Sequence, residues 1–337
     1  MSVTIYDIAK EAGVSAATVS LAMNNSAKIK EETKEHIRAI AKRLGYTPNH
    51  AARSLINNRS FSIGVVIPNL DNPLFTTMLS EMISTANSNG YSVIVGSSEQ
   101  SIEKERNHIA MLSEQRVDGM IIFPSFLEEL FPEFIKGKND ATIPLVLCGS
   151  STTFSENISF VKCDNHMGGY IATEHLIQNG KKRIALLCAV KEKSQAASRI
   201  AGYRDAHEFY DVPYHEDFVR FCSPDPSDIF DATISLINDQ CVDAFFCLFD
   251  DMCLPVIRAV ASLGLSIPDD IAIVGYDNIT LSALLPTSLT SIDTHAKLIG
   301  SMAMKQLIKK IEDPTSEPRK IILKPDLVVR ESTVKQV

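Results

Sequence analysis

The stretch TIYDIAKEAGVSAATVSLAMN, residues 4 to 24, decides how the N-terminal part of this 337-residue chain folds. Thr4 can cap a first helix, with Asp7 three residues later in a box-like arrangement. Gly13 tolerates a left-handed backbone and can end that helix, and Ser15 can cap a second helix directly afterwards. The spacing therefore predicts two short helices joined by a tight turn, which is the pattern of a helix-turn-helix.

A third helix is predicted in EETKEHIRAIAKRLG, residues 31 to 45. Its Ile37, Ile40, Ala41 and Leu44 recur at the i, i+3, i+4, i+7 spacing of one helical face. Three short helices of this kind can close one small core. A three-helix protein-interaction module would show the same periodicity, so the charge has to separate that alternative from a DNA-binding head.

The charge is distributed unevenly along the chain. The formal net charge is −8, but residues 1–59 hold nine Lys and Arg against five Asp and Glu. A basic head on an acidic body indicates that only the head meets a polyanion, and this favours DNA binding over the interaction module.

The remaining composition predicts a cytoplasmic, nucleoid-associated protein without membrane contact. No apolar run has the length of a membrane span, and Asp7, Lys10 and Glu11 interrupt any secretory signal. The seven cysteines are scattered without a C-x-x-C pair, which is typical of reduced thiols.

The segment YTPNHAARSLINNRS, residues 46 to 60, follows the third helix. Pro48 breaks the chain, and the remainder has weak helical character. Because a helix this short is marginal in isolation, it can depend on DNA for its order. A leucine on such a helix can wedge between base steps in the minor groove.

Beyond Phe61, strand-length Val/Ile/Leu runs alternate with amphipathic helices. Examples are FSIGVVIP, YSVIVGS and VDGMIIFP, and later RIALLC, VDAFFCLF and DIAIVGYD. Such runs between helices indicate parallel sheets covered on both faces. The predicted fold is an all-α helix-turn-helix head plus an α/β body of two doubly wound parallel-sheet subdomains. A cleft is expected at the carboxyl ends of their strands.

Motifs for catalysis or cofactor binding are missing from the sequence. No G-x-G-x-x-G follows a strand, there is no Walker A motif, and Gly168 and Gly169 lie inside a predicted helix. There is no G-x-S-x-G, and the eight histidines lack the spacing of metal ligands. We expect no enzymatic activity, no catalytic residue, no metal and no cofactor.

The stretches TIYDIAKEAGVSAATVS and LGYTPNHAARSL resemble the DNA-binding domain of the LacI/GalR family of bacterial transcription regulators. The resemblance implies that Ala16, Ala17 and Ser20 face the major groove of an operator. It also implies that Leu55 is the minor-groove lever of a hinge helix. The full set of predicted DNA contacts is Thr4, Ser15, Ala16, Ala17, Thr18, Ser20, Leu21, Asn24, Asn49, Arg53 and Leu55.

The body resembles the effector-binding core of the same family, which is similar to periplasmic sugar-binding proteins. The stretches that carry this resemblance include IGVVIPNLDNPLF, DNHMGGYIATEHLIQNGKKRIALL, SRIAGYRDA and SIPDDIAIVGYDN. The subdomains are therefore expected to be of periplasmic-binding-protein type. The predicted domains are residues 1–45 for the helix-turn-helix, 46–59 for the hinge, 60–162 plus 293–325 for the N-terminal effector-binding subdomain, and 163–292 plus 326–337 for the C-terminal one.

The resemblance also implies an effector site in the cleft. Arg199 and Asp277 match an arginine and a carboxylate on opposite sides of one pocket, a pair that suits a polyhydroxylated ligand. Asn72 and Phe75 match a polar and an aromatic contact after the first strand, and Asp250 matches a contact at a strand end. Structural roles are the alternatives: a salt bridge for Arg199, a helix cap for Asp277 and core packing for Phe75.

Two departures from the family pattern bear on the effector. Phe249, which we include among the effector contacts, stands where sugar-binding members often have a small polar residue. Gly149 stands where some of them have an acid. Both changes make the pocket more apolar than a monosaccharide needs, so a glycoside, a disaccharide or a non-sugar ring fits better.

The predicted function is sequence-specific, DNA-binding transcription regulation, with repression favoured. The predicted partners are a pseudopalindromic DNA operator, a second copy of the chain in a homodimer, and a small-molecule effector, with a carbohydrate favoured. A solute-binding protein with an incidental head and an enzyme are the rivals from other classes. A protein corepressor in place of the small molecule is a narrower rival.

Leu21 allows the placement of the second helix to be tested. The family usually has an arginine just after the T-V-S triplet, and leucine cannot make the bidentate contact of arginine with guanine. We predict that Leu21→Arg changes the preferred operator sequence more than it changes stability. A selection from randomised sites, compared with wild type, measures the preference, and an unchanged preference would refute this placement.

Overall fold

The computed structural model describes residues 3–23, 26–46, 59–124, 143–149, 158–189 and 193–334. The chain divides into two compact units, Met1–Phe61 and Ser62–Val337, which we call the head and the body. Each unit is described by itself.

The described part of the head contains three helices, as the periodicity predicted. They are α1 (Ile5–Ala12), α2 (Ala16–Met23) and α3 (Glu31–Arg43). Gly13 ends α1 with a φ of 66°, in the left-handed region that glycine tolerates. The helices share one core in which Ile8, Val19 and Ile37 are fully buried. This small apolar core therefore holds the helix-turn-helix together.

The body alternates strands and helices. In chain order it contains β1 (Ser62–Ile67), α4 (Pro73–Ser88), β2 (Ser92–Ser97), α5 (Ile102–Glu114), β3 (Gly119–Ile122), β4 (Leu145–Cys148), β5 (Ser159–Cys163), α6 (Asn165–Gln178), β6 (Ile184–Ala189), α7 (Lys193–Phe209), β7 (Val219–Cys222), α8 (Pro226–Gln240), β8 (Ala244–Cys247), α9 (Asp250–Ser262), β9 (Ala272–Tyr276), β10 (Thr290–Asp293), α10 (Ala296–Glu312), β11 (Lys320–Leu323) and β12 (Asp326–Val328).

These strands form two six-stranded sheets, and each sheet with its helices is called a lobe. The first-lobe sheet has the order β2-β1-β3-β4-β5-β11, and the second-lobe sheet has the order β7-β6-β8-β9-β10-β12. Neighbouring strands are parallel except for β10 and β12, which are antiparallel. The predicted pair of doubly wound subdomains is confirmed, with this one antiparallel edge as a difference.

Both faces of the second-lobe sheet are covered. Phe245 packs into the cluster on one face and Phe246 into the cluster on the other, because successive side chains of a strand point to opposite sides. Both rings are fully buried. Continuous apolar runs such as AFFC are therefore strands, as the sequence indicated.

The chain passes between the lobes three times. It leaves the first lobe after β5, returns to it after β10 through residues 294–295, and leaves it again between β11 and β12. The helix α10 packs on α4 of the first lobe, although it follows a strand of the second. The carboxyl ends of β5, β10 and β11 therefore all lie where the two lobes join.

The helices α6 and α7 approach each other backbone to backbone. A Cβ at Gly202 of α7 would lie 2.0 Å from the carbonyl oxygen of His166 in α6. A Cβ at Gly169 of α6 would lie 2.1 Å from the carbonyl oxygen of Arg199 in α7. This close crossing sets where Arg199 sits relative to α6.

The close crossing of α6 and α7 predicts that a side chain at position 202 destabilises the body. We expect Gly202→Ala to lower the free energy of unfolding of the body by at least about 2 kcal/mol, because neither backbone can yield to the added methyl. The better helix propensity of alanine, worth about 1 kcal/mol, acts in the opposite direction and does not suffice. Urea unfolding measures the change.

Glu208→Ala, at an exposed position of the same helix, is the matched control. It should change the free energy of unfolding by less than about 0.5 kcal/mol. A Gly202→Ala protein as stable as wild type would show that α6 and α7 can move apart freely.

Candidate DNA-binding face and effector site

Two predicted contact residues of the head cap its helices. The backbone N–H and the hydroxyl of Thr4 donate to Asp7 Oδ2 over 2.8 and 2.7 Å. The hydroxyl of Ser15 accepts a hydrogen bond from the Thr18 N–H over 3.1 Å. Both side chains thus stabilise a helix start, in addition to any role at an operator.

The outer face of α2 is formed by small and apolar side chains. Val19 and Ala22 point into the core, whereas Ala17 and Leu21 lie one turn apart on the exposed side. The side chain of Leu21 is 38% exposed. Half-buried positions flank this stripe, namely Ala16, Thr18 and Ser20. The geometry leaves Ala17 and Leu21 accessible together, as a groove-facing pair must be.

Tyr6 is a candidate contact that the sequence reasoning missed. Its side chain is 76% exposed on α1. The exposure of Tyr6 could have been predicted from the sequence, because Tyr6 lies outside the apolar face of α1 that contains Ile5 and Ile8. The remaining predicted contacts with DNA, Asn24, Asn49, Arg53 and Leu55, lie outside the described residues.

The centre of the effector-site candidate is the side chain of Arg199, which is only 2% exposed. Its Nε donates to Asn165 Oδ1 over 2.9 Å, and its Nη1 donates to the carbonyl oxygen of Leu248. Its Nη2 lies 3.9 Å from Asp277 Oδ1. The predicted Arg and Asp pair is therefore brought together, with more than hydrogen-bond distance between the two groups.

Two aromatic rings pack against this guanidinium. Its carbon lies 3.6 Å from the ring centre of Tyr276 and 5.0 Å from that of Phe249. Both distances are within the range of a cation–π contact. Phe249 thus lies in one cluster with Arg199 and Asp277.

Asp277 occupies a strained position. It follows β9 with a φ of 105°, and the next residue, Asn278, has a φ of 51°. The Asn278 N–H donates to Ser291 Oγ over 3.0 Å, and Arg330 Nη2 donates to Asn278 Oδ1 over 2.6 Å. Surrounding bonds therefore hold two successive non-glycine residues in the left-handed region, as is common at functional sites.

Asp250 lies behind this loop. Its Oδ1 accepts from the Ser291 hydroxyl over 2.7 Å, and its Oδ2 accepts from the Ser282 hydroxyl over 2.6 Å and the Ile279 N–H over 2.9 Å. These bonds make Asp250 a brace for the loop that contains Asp277, and its predicted contact with the effector stays a prediction. The strand-end position alone could not distinguish these two roles.

The two predicted residues of the first lobe make contacts within that lobe. Asn72 caps α4, with its Oδ1 accepting from the Leu74 N–H over 2.8 Å. The ring of Phe75 packs edge-on against Phe123, with centroids 5.6 Å apart. Phe75 and Phe123 follow the carboxyl ends of β1 and β3, which is the edge where doubly wound sheets bind ligands.

Cys163, the last residue of β5 in the first lobe, is close enough to the Arg199 cluster to be affected by its charges. Burial raises the pKa of its thiol to about 12, while the positive charge of Arg199 opposes that rise and the negative charge of Asp277 adds to it. The charges of Arg199 and Asp277 therefore influence the pKa of a residue in the first lobe. The cluster lies next to the first crossing between the lobes.

Asn165 and Tyr276 belong to the cluster, although they were not predicted. Asn165 Oδ1 accepts from Arg199 and also from the Tyr276 hydroxyl, the latter over 3.3 Å. Burial raises the pKa of Tyr276. A signal existed, since Asn165 lies two residues after the end of β5 and Tyr276 ends β9, at the same sheet edges as the residues that were predicted.

Among the described residues, no group of three or more His, Cys, Asp or Glu could hold a metal ion. No described helix combines the length and apolar character needed to cross a membrane. All seven cysteines are free thiols, and six of them are buried.

The buried carboxyl of Asp250 should make the stability of the folded chain depend on pH. Burial raises the pKa of its carboxyl from 3.8 to about 6. The folded chain then binds this proton more tightly than the unfolded chain does. The carboxyl therefore favours the folded state most below pH 4, and that contribution is lost as the pH rises through 6.

The expected result is a fall of roughly 2–3 kcal/mol, between pH 4 and 7, in the stability of wild type relative to Asp250→Asn. Urea unfolding at several pH values measures it. Asp231→Asn, an exposed substitution in the same lobe, is the control and should follow the wild-type profile. If the stabilities of wild type and Asp250→Asn changed with pH by the same amount, the raised pKa of Asp250 would be contradicted.

Comparisons with known proteins cover both units. Residues 4–49 match the family model described as bacterial regulatory proteins, lacI family. Residues 60–331 match the model described as periplasmic binding proteins and sugar binding domain of LacI family.

Whole-length relatives agree with these matches. The HTH-type transcriptional repressor PurR of Histophilus somni is 32% identical over 330 residues, with 98% of each chain covered. That of Vibrio campbellii is 33% identical over 335 residues, with 99% of each chain covered.

Solved structures agree as well. The lac repressor dimer bound to operator and the anti-inducer ONPF has a TM-score of 0.85 at 26% identity, covering 99% of this chain and 100% of that one. A complex of the transcriptional regulator CelR with cellobiose has a TM-score of 0.73 at 27% identity, covering 98% and 99%. The relatives are repressors, which confirms the expectation that the chain is not an enzyme. The chain belongs to the LacI family of bacterial transcription regulators, as a DNA-binding repressor with an effector-binding domain.

Proposed function

We propose that the effector is a carbohydrate, specifically a glycoside or a disaccharide, that binds between the two lobes of the body. The observation that carries this proposal is the Arg199 cluster, in which a buried guanidinium faces Asp277 across 3.9 Å and packs on the rings of Tyr276 and Phe249. Such a pair offers both donors and an acceptor to adjacent hydroxyl groups.

The chemistry of the cluster favours an uncharged ligand with an apolar face. The charges of Arg199 and Asp277 balance each other, so a doubly charged phosphate ester would lack a counterion there. Phe249 and, from the first lobe, Phe75 supply aromatic surface on which a sugar ring or an aglycone can pack. The proposed effector contacts are Asn72, Phe75, Arg199, Phe249, Asp250 and Asp277, of which Asp250 also braces the loop behind Asp277.

Similar proteins support this ligand class. The related CelR structure contains cellobiose. A LacI-family regulator from Enterococcus faecium, 25% identical, contains ribose. A planar nitrogen heterocycle is the second candidate, favoured by the edge-on pair of Phe75 with Phe123, which presents aromatic surface at the ligand-binding edge of the first-lobe sheet.

For DNA recognition, we propose a homodimer whose two heads bind the half-sites of a pseudopalindromic operator. The dimeric lac repressor structure supports this assembly. The proposed contacts are those of the α2 face together with Thr4, Asn24, Asn49, Arg53 and Leu55, and residues 46–59 are the proposed hinge.

We keep the domain limits given above as a proposal, and the assignment of the strands to the two sheets supports them. Strands β1–β5 and β11 fall within 60–162 and 293–325 apart from Cys163 at the end of β5. Strands β6–β10 and β12 fall within 163–292 and 326–337 apart from Asp293 at the end of β10. Effector binding would change the orientation of these subdomains and thereby the operator affinity. Because the coupling is thermodynamic, operator binding must change effector affinity by the same factor.

The deciding experiment combines two measurements on the full-length protein. Calorimetry with cellobiose, ribose, an aryl glycoside and adenine identifies the class that binds. A gel shift on an operator selected from random DNA then measures whether that class changes the operator affinity. We expect the aryl glycoside or cellobiose to bind and to change the operator affinity by about 5-fold or more.

Asp277→Asn should weaken effector binding by about 10-fold or more while the protein stays folded and binds operator, because it removes the acceptor that faces the hydroxyl groups. Asp231→Asn is the control for a lost charge elsewhere in the lobe. Binding of adenine alone would favour the heterocycle, and the absence of heat from every compound would favour a protein corepressor.

A further inference from the structure

His295 lies in the second crossing between the lobes. It precedes α10 and has a φ of 58°, in the left-handed region. Its Nε2 is 3.2 Å from Asp326 Oδ2, which is hydrogen-bond distance, and its Nδ1 is 3.8 Å from Asp293 Oδ1. Asp293 ends β10, and Asp326 begins β12 after the third crossing. One imidazole thus contacts carboxylates at two of the three crossings.

A chain of contacts runs from this imidazole to the effector site. Asp293 Oδ2 accepts from Asn278 Nδ2 over 3.1 Å, and the His295 N–H donates to Asp293 Oδ1 over 2.7 Å. Asn278 directly follows Asp277, and both have positive φ angles. The carboxylate of Asp293 therefore bridges the residue next to Asp277 and the start of a first-lobe helix.

The crossing segment 294–295 contains a buried hydroxyl group that lacks a hydrogen-bond partner among the described residues. Thr294 is only 3% exposed, and its hydroxyl has no hydrogen-bond partner among the described residues. A buried polar group without a partner costs about 1–3 kcal/mol.

We propose that His295 is a positioning residue that couples the orientation of the lobes to the conformation of Asp277. The proposal rests on the proposed function, in which Asp277 contacts the effector. A rotation of one lobe on the other moves Asp326 relative to His295, and the 3.2 Å contact between His295 Nε2 and Asp326 Oδ2 is lost on a small displacement. Losing this contact lets the His295 backbone shift, and with it the N–H that donates to Asp293 Oδ1. Asp293 accepts from Asn278, so the shift reaches the loop that contains Asp277.

The test uses a substitution that keeps the backbone conformation. His295→Gly removes the imidazole and accepts the left-handed φ, and His295→Asn keeps a polar side chain that also tolerates it. Cys241→Gly is the matched control, because Cys241 is an exposed residue of the second lobe with a φ of 49°. Hydrogen exchange of the full-length protein without ligand is the first measurement.

We expect His295→Gly to speed amide exchange by about 5-fold or more in peptides covering 276–279, 294–298 and 324–328, with exchange in β6 and β8 unchanged. His295→Asn should restore part of the protection, and Cys241→Gly should match wild type. A merely structural role would speed exchange in the core strands as well. Unchanged exchange at 276–279 would overturn the proposal.

The second measurement uses cellobiose as the probe. We expect the ratio of operator affinities with and without cellobiose to fall by about 5-fold in His295→Gly relative to wild type. An unchanged ratio would overturn the coupling. If the operator affinity of wild type does not respond to cellobiose, that result contradicts the choice of cellobiose as effector, and the ligand-free exchange data decide on His295.

Discussion

The arrangement of the second lobe depends on one constraint, which is that the guanidinium of Arg199 is removed from water and must be satisfied by protein groups. Burying an unpaired charge is costly. Here Asn165 and the Leu248 carbonyl oxygen accept hydrogen bonds, the Tyr276 ring covers one face, and Asp277 supplies the opposite charge. At 3.9 Å, the contact with Asp277 is longer than a hydrogen bond and is electrostatic.

This constraint explains features that look unrelated in the sequence. Glycine at 169 and 202 lets α7 approach α6, and that approach brings Arg199 to Asn165. Asp277 faces Arg199 from a strained backbone, and the bonds of Asp250 hold the loop that contains it. The buried brace, the close helix crossing and the left-handed residues therefore all act on the geometry of one charged pair.

Much of the fold could be predicted from the sequence, because periodicity records which face of an element is buried. The three head helices and the apolar strands such as AFFC were predicted correctly. The edge strands β11 and β12 were not, since KIIL and DLV are short and only partly buried. The antiparallel pairing of β12 with β10 depends on where the third crossing leads, and no local pattern encodes that path.

Some residues of the candidate effector site could likewise be predicted from the sequence, and others could not. Arg199 and Asp277 could be found from motifs that resemble a known family, and the structure brings them together. The positions of Asn165 and Tyr276 in the cluster depend on how α6, α7 and β9 meet in space. The role of Asp250 depends on Ser282 and Ser291, which are distant in sequence and reach it only through the fold.

The three crossings have a consequence for the order in which the body can form during synthesis. The first-lobe sheet needs β11, and its helix layer needs α10, yet both are made after strands β6–β10 of the second lobe. The second-lobe sheet in turn needs β12, which follows β11. Neither lobe can therefore be completed on the ribosome before the other has been almost wholly translated. The head, whose core is local in sequence, has no such delay, so a nascent chain acquires its DNA-binding unit well before its effector-binding one.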